Sequence, residues 1–199
     1  KPRILIGKDT RQSGDMLEAA LTAGLCSVGA DVEALGVLPT PAVAYLVTKY
    51  KADAGVVISA SHNPMEFNGI KVFASTGYKL PDEVEARIEA HIDNDCRDIP
   101  LATGAGVGQV SFRADGLRDY VDHLYEAIGG DLTGLNVCID CANGAAAAVA
   151  QKLFPRLGAR CSFLGVTPDG KNINDGVGST HLEKLEKEVV AGGYDCGIA

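Results

Sequence analysis

Three side chains that could do chemistry lie close together in the first half of the chain. Ser61 and His62 follow the apolar run Val56-Val57-Ile58, and Lys71 lies within the next apolar run. A serine hydroxyl can carry a phosphoryl group covalently. A lysine can pair with phosphate or exchange a proton with a hydroxyl, and an imidazole can donate to a phosphate oxygen. This combination is compatible with phosphoryl transfer through a phosphoserine.

The same loop also allows simpler interpretations. Ser59 and Ser61 are ordinary turn residues, and His62 fits a plain surface position. A serine hydrolase is a third alternative, but the chain has no GxSxG sequence and no evident acid–base partner for the serine. Residue types and spacing by themselves therefore leave both phosphoryl transfer and a surface loop open.

Alternating strands and helices position this loop. Strands are predicted at residues 4–6, 32–37, 56–58 and 70–73, and helices from about 15, at 40–50 and at 81–92. Ser13 is a candidate N-cap and Gly29 a helix stop, while Val84, Ile88 and Ile92 are expected to face inward. The alternation predicts an α/β sandwich, in which ligands bind at the carboxyl ends of strands such as 56–58.

Composition narrows the class of protein. The chain has 199 residues, 46% hydrophobic and 22% charged, which is typical of a globular protein. A formal net charge of −8 argues against nucleic acid or an anionic membrane surface as partner. No apolar run approaches ~20 residues, so no transmembrane helix is expected. Six cysteines with a single CxxC at 138–141 favour free thiols in a reducing cytoplasm over disulfides or zinc.

The second half of the chain repeats landmarks of the first. Val137-Cys138-Ile139 and its polar loop parallel Ile4-Leu5-Ile6, and Tyr194 to Ile198 echoes the lead-in to the serine loop. The pairs Gly29-Ala30 and Gly158-Ala159 have the same offset as Leu35-Gly36-Val37 and Leu164-Gly165-Val166. The repeat predicts two tandem three-layer α/β/α sandwiches of the same topology with mixed sheets, at 1–113 and 114–199.

Residues 59–73, SASHNPMEFNGIKVF, closely resemble the active-site loop of the α-D-phosphohexomutases. The matching positions are Ser61, His62, Asn63, Pro64, Asn68, Gly69 and Lys71. The resemblance implies that Ser61 is the phosphorylated nucleophile and that Lys71 and His62 are further catalytic residues.

The loop at 7–11, GKDTR, resembles a second pattern of the same family. Arg11 is expected either to anchor the serine loop or to face phosphate, and Asp9 to orient Arg11 or the loop backbone. Asn63 is expected to support phosphate binding beside them. A surface arginine next to a helix start remains the simpler alternative for Arg11.

The family resemblance also implies one Mg²⁺ per full-length enzyme. Its expected ligands are the phosphate on Ser61 and an aspartate-rich segment beyond Ala199. The chain is accordingly expected to be the N-terminal, two-domain part of a longer enzyme, inactive by itself and without magnesium.

The run at 168–181, PDGKNINDGVGSTH, is similar to the phosphoglucosamine mutase branch of the family. A hexosamine phosphate is the implied substrate, with glucosamine 6-phosphate and glucosamine 1-phosphate interconverted through a 1,6-bisphosphate. The branch feeds UDP-N-acetylglucosamine and the bacterial cell wall in the cytoplasm. Another sugar specificity and a non-catalytic sugar-phosphate-binding module are the alternatives, and a homodimer is left open. His181 is expected to lie outside the site.

Overall fold

The computed structural model describes all 199 residues, and its first half is built on a five-stranded mixed sheet. The strand order is β4-β3-β1-β2-β5, in which β4 alone is antiparallel to its neighbour. The strands are β1 (Arg3–Lys8), β2 (Asp31–Val37), β3 (Ala54–Ile58), β4 (Ile70–Ala74) and β5 (Val110–Phe112). Because β1 and β3 are parallel, with Lys8 opposite Ile58, their following loops meet at one edge of the sheet.

Helices cover both faces of this sheet. They are α1 (Ser13–Ser27), α2 (Thr40–Lys49) and α3 (Asp82–Asp93). Side chains alternate along β1, so that Ile4 and Ile6 pack in the α1 layer while Leu5 packs in the α2 layer. A strand covered on both faces is apolar throughout, which explains the continuous apolar runs of β1 and β3.

Helix α2 lies directly against the backbone of β1 and β3. A Cβ atom added at Gly55 would lie 2.3 Å from Val47 Cγ2, and one added at Gly7 would lie 2.6 Å from Val43 Cγ2. No side chain larger than hydrogen fits at either position without a shift of the valine side chain or of the helix. The two glycines therefore set how closely α2 approaches the sheet.

The predicted elements of the first half are present, but two local expectations are wrong. Ser13 is the first residue of α1 rather than its N-cap, and its hydroxyl accepts a hydrogen bond from Asn68. Helix α3 buries no residue, and Ile88 and Ile92 are 41% and 61% exposed. The groove between α3 and the edge strand β4 stays open, because no further layer covers that end of the sheet.

The second half contains a smaller, parallel sheet of order β7-β6-β8. Its elements are α4 (Gly116–Ile128), β6 (Asn136–Asp140), α5 (Ala147–Arg156), β7 (Arg160–Leu164), α6 (Glu183–Gly192) and β8 (Cys196–Ile198). The order repeats that of β2-β1-β3, since the first strand of each half is central and the next two flank it. These three strands include no antiparallel member, whereas the first sheet is mixed.

Helix α4 connects the two halves through a continuous apolar cluster. Tyr120 and Val121 on α4 pack in one buried group with Leu46 of α2 and Leu153 of α5. A Cβ at Gly116 would lie 3.2 Å from Leu38 Cδ1, so the start of α4 is close to the first unit. The two sheets span residues 3–112 and 136–198, and a domain boundary near Arg113 remains our proposal.

All six cysteines are free thiols. None of the helices is both long enough and apolar enough to span a bilayer.

Candidate active site

Ser61 lies in the loop that follows β3, at the edge where the β1 loop also ends. Its backbone adopts the left-handed conformation, with φ +57°. Such a conformation costs a non-glycine residue about 1 kcal/mol or more unless the surroundings hold it. The Ser61 amide donates to Ser59 Oγ at 3.2 Å, and the Ser59 amide donates to the Gly69 carbonyl at 2.9 Å. The loop therefore closes on itself while the Ser61 side chain faces solvent.

Arg11 holds the serine loop through hydrogen bonds from its buried guanidinium. It is 2% exposed, and its Nη2 donates to the carbonyls of Ser61 and Asn63 at 3.1 and 2.9 Å. Its Nη1 donates to the carbonyls of Pro64 and Phe67 at 2.5 and 3.0 Å. The fifth N–H, on Nε, goes to Asp9. All five donors of the guanidinium are thus used, so in this arrangement Arg11 anchors the loop and has none left for a phosphate.

Asp9 fixes the orientation of Arg11. One carboxylate oxygen accepts from the Arg11 amide at 3.0 Å and the other from Arg11 Nε at 2.9 Å. The Asp9 amide donates to the Ile58 carbonyl at 3.0 Å, which ties the β1 loop to the end of β3. Asp9 is 5% exposed, and a buried charge of this kind is tolerated because it is paired and hydrogen-bonded.

The second unit reaches the same loop through a residue that the sequence analysis did not identify. Asn174 Nδ2 donates to the carbonyls of Ser61 and Asn63 at 3.1 and 3.0 Å. Two further contacts join the units nearby, from Thr10 Oγ1 to the Asn143 carbonyl and from the Gln12 amide to the Gly170 carbonyl. The only sequence signal was the Asn-rich run at 171–174, which by itself does not indicate where it docks.

A cleft of about 360 Å³ lies between the serine loop and the second unit. It is lined by Asp9, Pro39, Thr40, Pro41, Ser59, Ser61, Cys141, Ala142, Gly144, Ala145, Ala146, Ile173 and Asn174. Burial raises the pKa of the Cys141 thiol to about 11, and the negative charge of Asp140 contributes to this rise in pKa. Cys141 is therefore a protonated wall residue at neutral pH, which leaves Ser61 as the exposed nucleophile candidate.

The side chains of the other predicted site residues make no hydrogen bonds and are exposed or lie outside the cleft. His62 is exposed, and its side chain makes no hydrogen bond or ion pair. The Asn63 carbonyl is held by Arg11 and Asn174, but its side chain is exposed and unbonded. Lys71 lies on β4 opposite Val57 and lines the groove beside α3 instead of the Ser61 cleft. His181 is exposed, with only its amide bonded, to the Gly178 carbonyl.

The residues of this chain do not form a magnesium site at Ser61. Mg²⁺ prefers about six oxygen ligands and usually takes carboxylates. Asp9 is the one carboxylate that lines the cleft, and its charge is already paired with the buried guanidinium of Arg11. No group of three or more His, Cys, Asp or Glu side chains is placed to hold a metal ion.

Known proteins share both the sequence and the fold. Residues 1–97 match the family model described as phosphoglucomutase/phosphomannomutase, alpha/beta/alpha domain I. Phosphoglucosamine mutases of Acetivibrio thermocellus and Clostridium tetani are 57% and 52% identical over the whole chain. The chain spans 44% of the length of each of these two relatives.

Two solved structures have the same architecture. A phosphoglucomutase/phosphomannomutase family protein from Burkholderia thailandensis matches 98% of this chain and 43% of its own, with a TM-score of 0.79 and 25% identity. A protein titled putative phosphomannomutase from Thermus thermophilus matches 94% of this chain and 43% of its own, with a TM-score of 0.75 and 25% identity. The serine-loop sequence, the strand order and these matches agree: residues 1–97 are an alpha/beta/alpha domain I of the phosphoglucomutase/phosphomannomutase family, and the whole chain is similar in sequence and fold to proteins of that family.

Proposed function

We propose that the protein carrying this chain is a phosphoglucosamine mutase that interconverts glucosamine 6-phosphate and glucosamine 1-phosphate. The observation that carries the proposal is the support of Ser61, whose left-handed backbone is held by Arg11 in a cleft. Strained backbone that its surroundings hold in place is found mainly at active sites and ligand-binding sites. The choice of sugar rests on relatives 52% and 57% identical that carry this name.

The proposed reaction uses Ser61 twice. A substrate hydroxyl oxygen attacks the phosphorus of phosphorylated Ser61, the bond between phosphorus and Oγ breaks, and a 1,6-bisphosphate forms. The proton lost by the hydroxyl balances the proton gained by Ser61 Oγ. After the bisphosphate turns around, its other phosphate returns to Ser61, which restores the phosphoserine. Arg11 and Asp9 hold the loop in place during both transfers.

Lys71 and His62 are proposed to assist the transfer. Neither side chain has a hydrogen-bond or ion-pair partner in this structure, so neither would have to break an existing interaction to bind a phosphate. Lys71 would pair with phosphate oxygens or carry the hydroxyl proton, and His62 would donate to a phosphate oxygen. Asn63 contributes its backbone carbonyl, through which Arg11 and Asn174 hold the loop.

Cofactor, partner and location are parts of the same proposal. Magnesium would need ligands other than the side chains of this chain, because they provide no metal group. A hexosamine phosphate is the proposed small-molecule partner, and a homodimer remains a prediction. The six free thiols support a reducing, cytoplasmic setting.

A phosphomannomutase or phosphoglucomutase is the alternative supported by a specific observation, since the solved structures carry those names. Their 25% identity is well below that of the phosphoglucosamine mutases. A comparison of kcat/KM for glucosamine 6-phosphate, mannose 6-phosphate and glucose 6-phosphate in the full-length protein separates them. Preference for either neutral sugar would refute the glucosamine assignment.

The nucleophile is tested by Ser61→Ala in the full-length protein. We expect mutase turnover to be abolished with an unchanged thermal midpoint, because the hydroxyl is exposed and makes no hydrogen bond. Phosphopeptide mass spectrometry of the wild type should locate phosphate on Ser61 and on no other serine. Ser75→Ala, which changes an exposed serine just after β4, serves as control. Near-normal turnover of the Ser61 variant would exclude Ser61 as the carrier.

A further inference from the structure

We propose that Asn174, a residue of the second unit, is a positioning residue for Ser61. Its side-chain nitrogen, Nδ2, donates to the carbonyls of Ser61 and Asn63 at 3.1 and 3.0 Å. These are the two carbonyls that Arg11 Nη2 binds from the first unit. The backbone that follows the Cα of Ser61 is therefore held from both units at once.

Two hydrogen-bond donors to each carbonyl stabilise the strained conformation of the serine loop. A carbonyl oxygen has two lone pairs, and here each oxygen accepts one hydrogen bond from Arg11 and one from Asn174. The Ser61 backbone is left-handed, with φ +57°, which is unfavourable for serine without such support. The side chain leaves the backbone at Cα, so a shift of this peptide moves Oγ relative to anything bound in the cleft.

Asn174 is itself firmly placed. Its backbone amide donates to the Ala142 carbonyl at 2.9 Å. Its φ of +59° places it in the left-handed region, which asparagine tolerates better than most residues. On either side Ile173 and Val177 are 4% exposed. The Gly178 amide donates to Asp140 at the end of β6 at 2.8 Å. The loop is thus fixed to the second sheet, and Asn174 transmits the position of that sheet to the serine loop.

Asn174 is therefore expected to matter for the rate of transfer more than for stability. The inference rests on the proposed function, because it assigns a role in a reaction at Ser61. Small errors in the placement of a reacting group can lower turnover strongly. Without the Asn174 donor, the Ser61 carbonyl would keep only its hydrogen bond from Arg11 Nη2, so the placement of the second unit bears on how well the nucleophile is oriented.

The test uses two substitutions in the full-length protein. Asn174→Gly and Asn174→Ala both remove the amide donor, but glycine adds backbone freedom whereas alanine disfavours the left-handed conformation. An effect that the two variants share therefore comes from the lost donor. Asp175→Gly is the matched control, since its exposed side chain makes no hydrogen bond and glycine adds the same freedom there.

The first measurement is amide hydrogen exchange in the peptide spanning residues 59–68, which does not depend on turnover. We expect faster exchange at Ser61, Asn63 and Phe67 in both Asn174 variants, and wild-type exchange in Asp175→Gly. The second is steady-state mutase kinetics. We expect kcat to fall about tenfold, equivalent to ~1.4 kcal/mol, with KM changed less than kcat.

The outcomes separate the two proposals. Wild-type exchange in both Asn174 variants overturns the positioning role, and so does a change in KM alone, which would make Asn174 a substrate contact. Faster exchange with unchanged kcat also overturns it, provided that Ser61→Ala abolishes turnover. Full activity of Ser61→Ala overturns the proposed nucleophile instead, and the exchange data then decide whether Asn174 holds the loop.

Discussion

At the scale of single residues, Arg11 is the side chain with the most hydrogen bonds at the candidate site. Its five N–H groups bind Asp9 and four loop carbonyls, and its side chain is fully buried. Arginine suits this position because its planar guanidinium presents five donors in a rigid arrangement, whereas lysine has three donors on a flexible stem. The positive charge therefore stabilises the loop through geometry as well as through Asp9.

Arg11→Lys keeps the charge and loses at least two of these hydrogen bonds. We expect the free energy of unfolding to fall by about 2 kcal/mol or more, since part-buried carbonyls such as those of Pro64 and Phe67 lose a donor, and the Phe67 carbonyl accepts from Arg11 alone. Urea denaturation measures the change. Arg97→Lys is the control, because Arg97 is exposed and pairs only with Asp95. If the two variants were equally stable, the anchoring role of Arg11 would be contradicted.

Lys71 presents the opposite case, an exposed lysine without a partner that the resemblance nevertheless assigns to catalysis. Lys71→Met keeps most of the apolar volume of the stem and removes the charge. We expect mutase turnover of the full-length protein to fall ~10²-fold, the order for lost acid–base catalysis. Lys79→Met is a matched control, since Lys79 lines the same groove and pairs with Asp82. A normal pH–rate profile in the Lys71 variant would contradict the assignment.

At the scale of elements, the contact of α2 with β1 and β3 decides where the cleft begins. The N-terminal end of α2, at Thr40 and Pro41, lines the cleft with Ser61. Gly55 lets the helix approach because a Cβ there would lie 2.3 Å from Val47. The position of one wall of the site thus depends on a glycine in the middle of a strand.

Gly55→Ala should consequently destabilise the protein. We expect a loss of about 1–3 kcal/mol from overpacking, measured by denaturant unfolding, and partial recovery when Val47→Ala is added. Gly24→Ala is the matched control, because Gly24 lies within α1 and a Cβ there meets nothing within 4 Å. That control should gain up to about 1 kcal/mol from helix propensity. A Gly55→Ala variant as stable as the wild type would show that α2 adjusts freely.

At the scale of the whole molecule, the candidate site depends on both units. Asn174, Asn143 and Gly170 contact the loops of the first unit, and the buried cluster around α4 joins the two halves. The cleft is consequently a property of the assembled pair rather than of the first sheet alone.

The same scale governs metal binding. The 199 residues are expected to bind no magnesium tightly at Ser61, because Asp9, the one carboxylate of the cleft, is paired with Arg11 and no cluster of metal-binding side chains is present. Calorimetric titration of magnesium into this chain measures it, and a parallel mutase assay is expected to show no turnover. Tight one-site binding or measurable turnover would contradict this expectation. Asp9→Asn, which removes the one carboxylate of the cleft, should leave the titration unchanged.

The amino-acid sequence by itself determined the class of fold and where the candidate serine loop lies in it. Apolar runs such as Val56-Val57-Ile58 predict buried strands because a strand covered on both faces must be apolar throughout, and the Ser61 loop follows one of them. The repeated glycine landmarks predicted the shared order of the first three strands in each half. A motif written in consecutive residues is visible without coordinates, which is why Ser61, Arg11 and Asp9 were identified.

Only the tertiary structure decided which distant residues meet. Asn174 lies 113 positions from Ser61, and nothing local marks an asparagine as the partner of a remote carbonyl. The choice between anchoring and phosphate binding for Arg11 likewise depended on counting its hydrogen bonds. The inward face expected for α3 failed for a related reason, since periodicity shows that a helix is amphipathic but not whether a layer exists to cover it. Contacts between elements depend on how close backbones pack, and that is set by the whole assembly of sheet and helices.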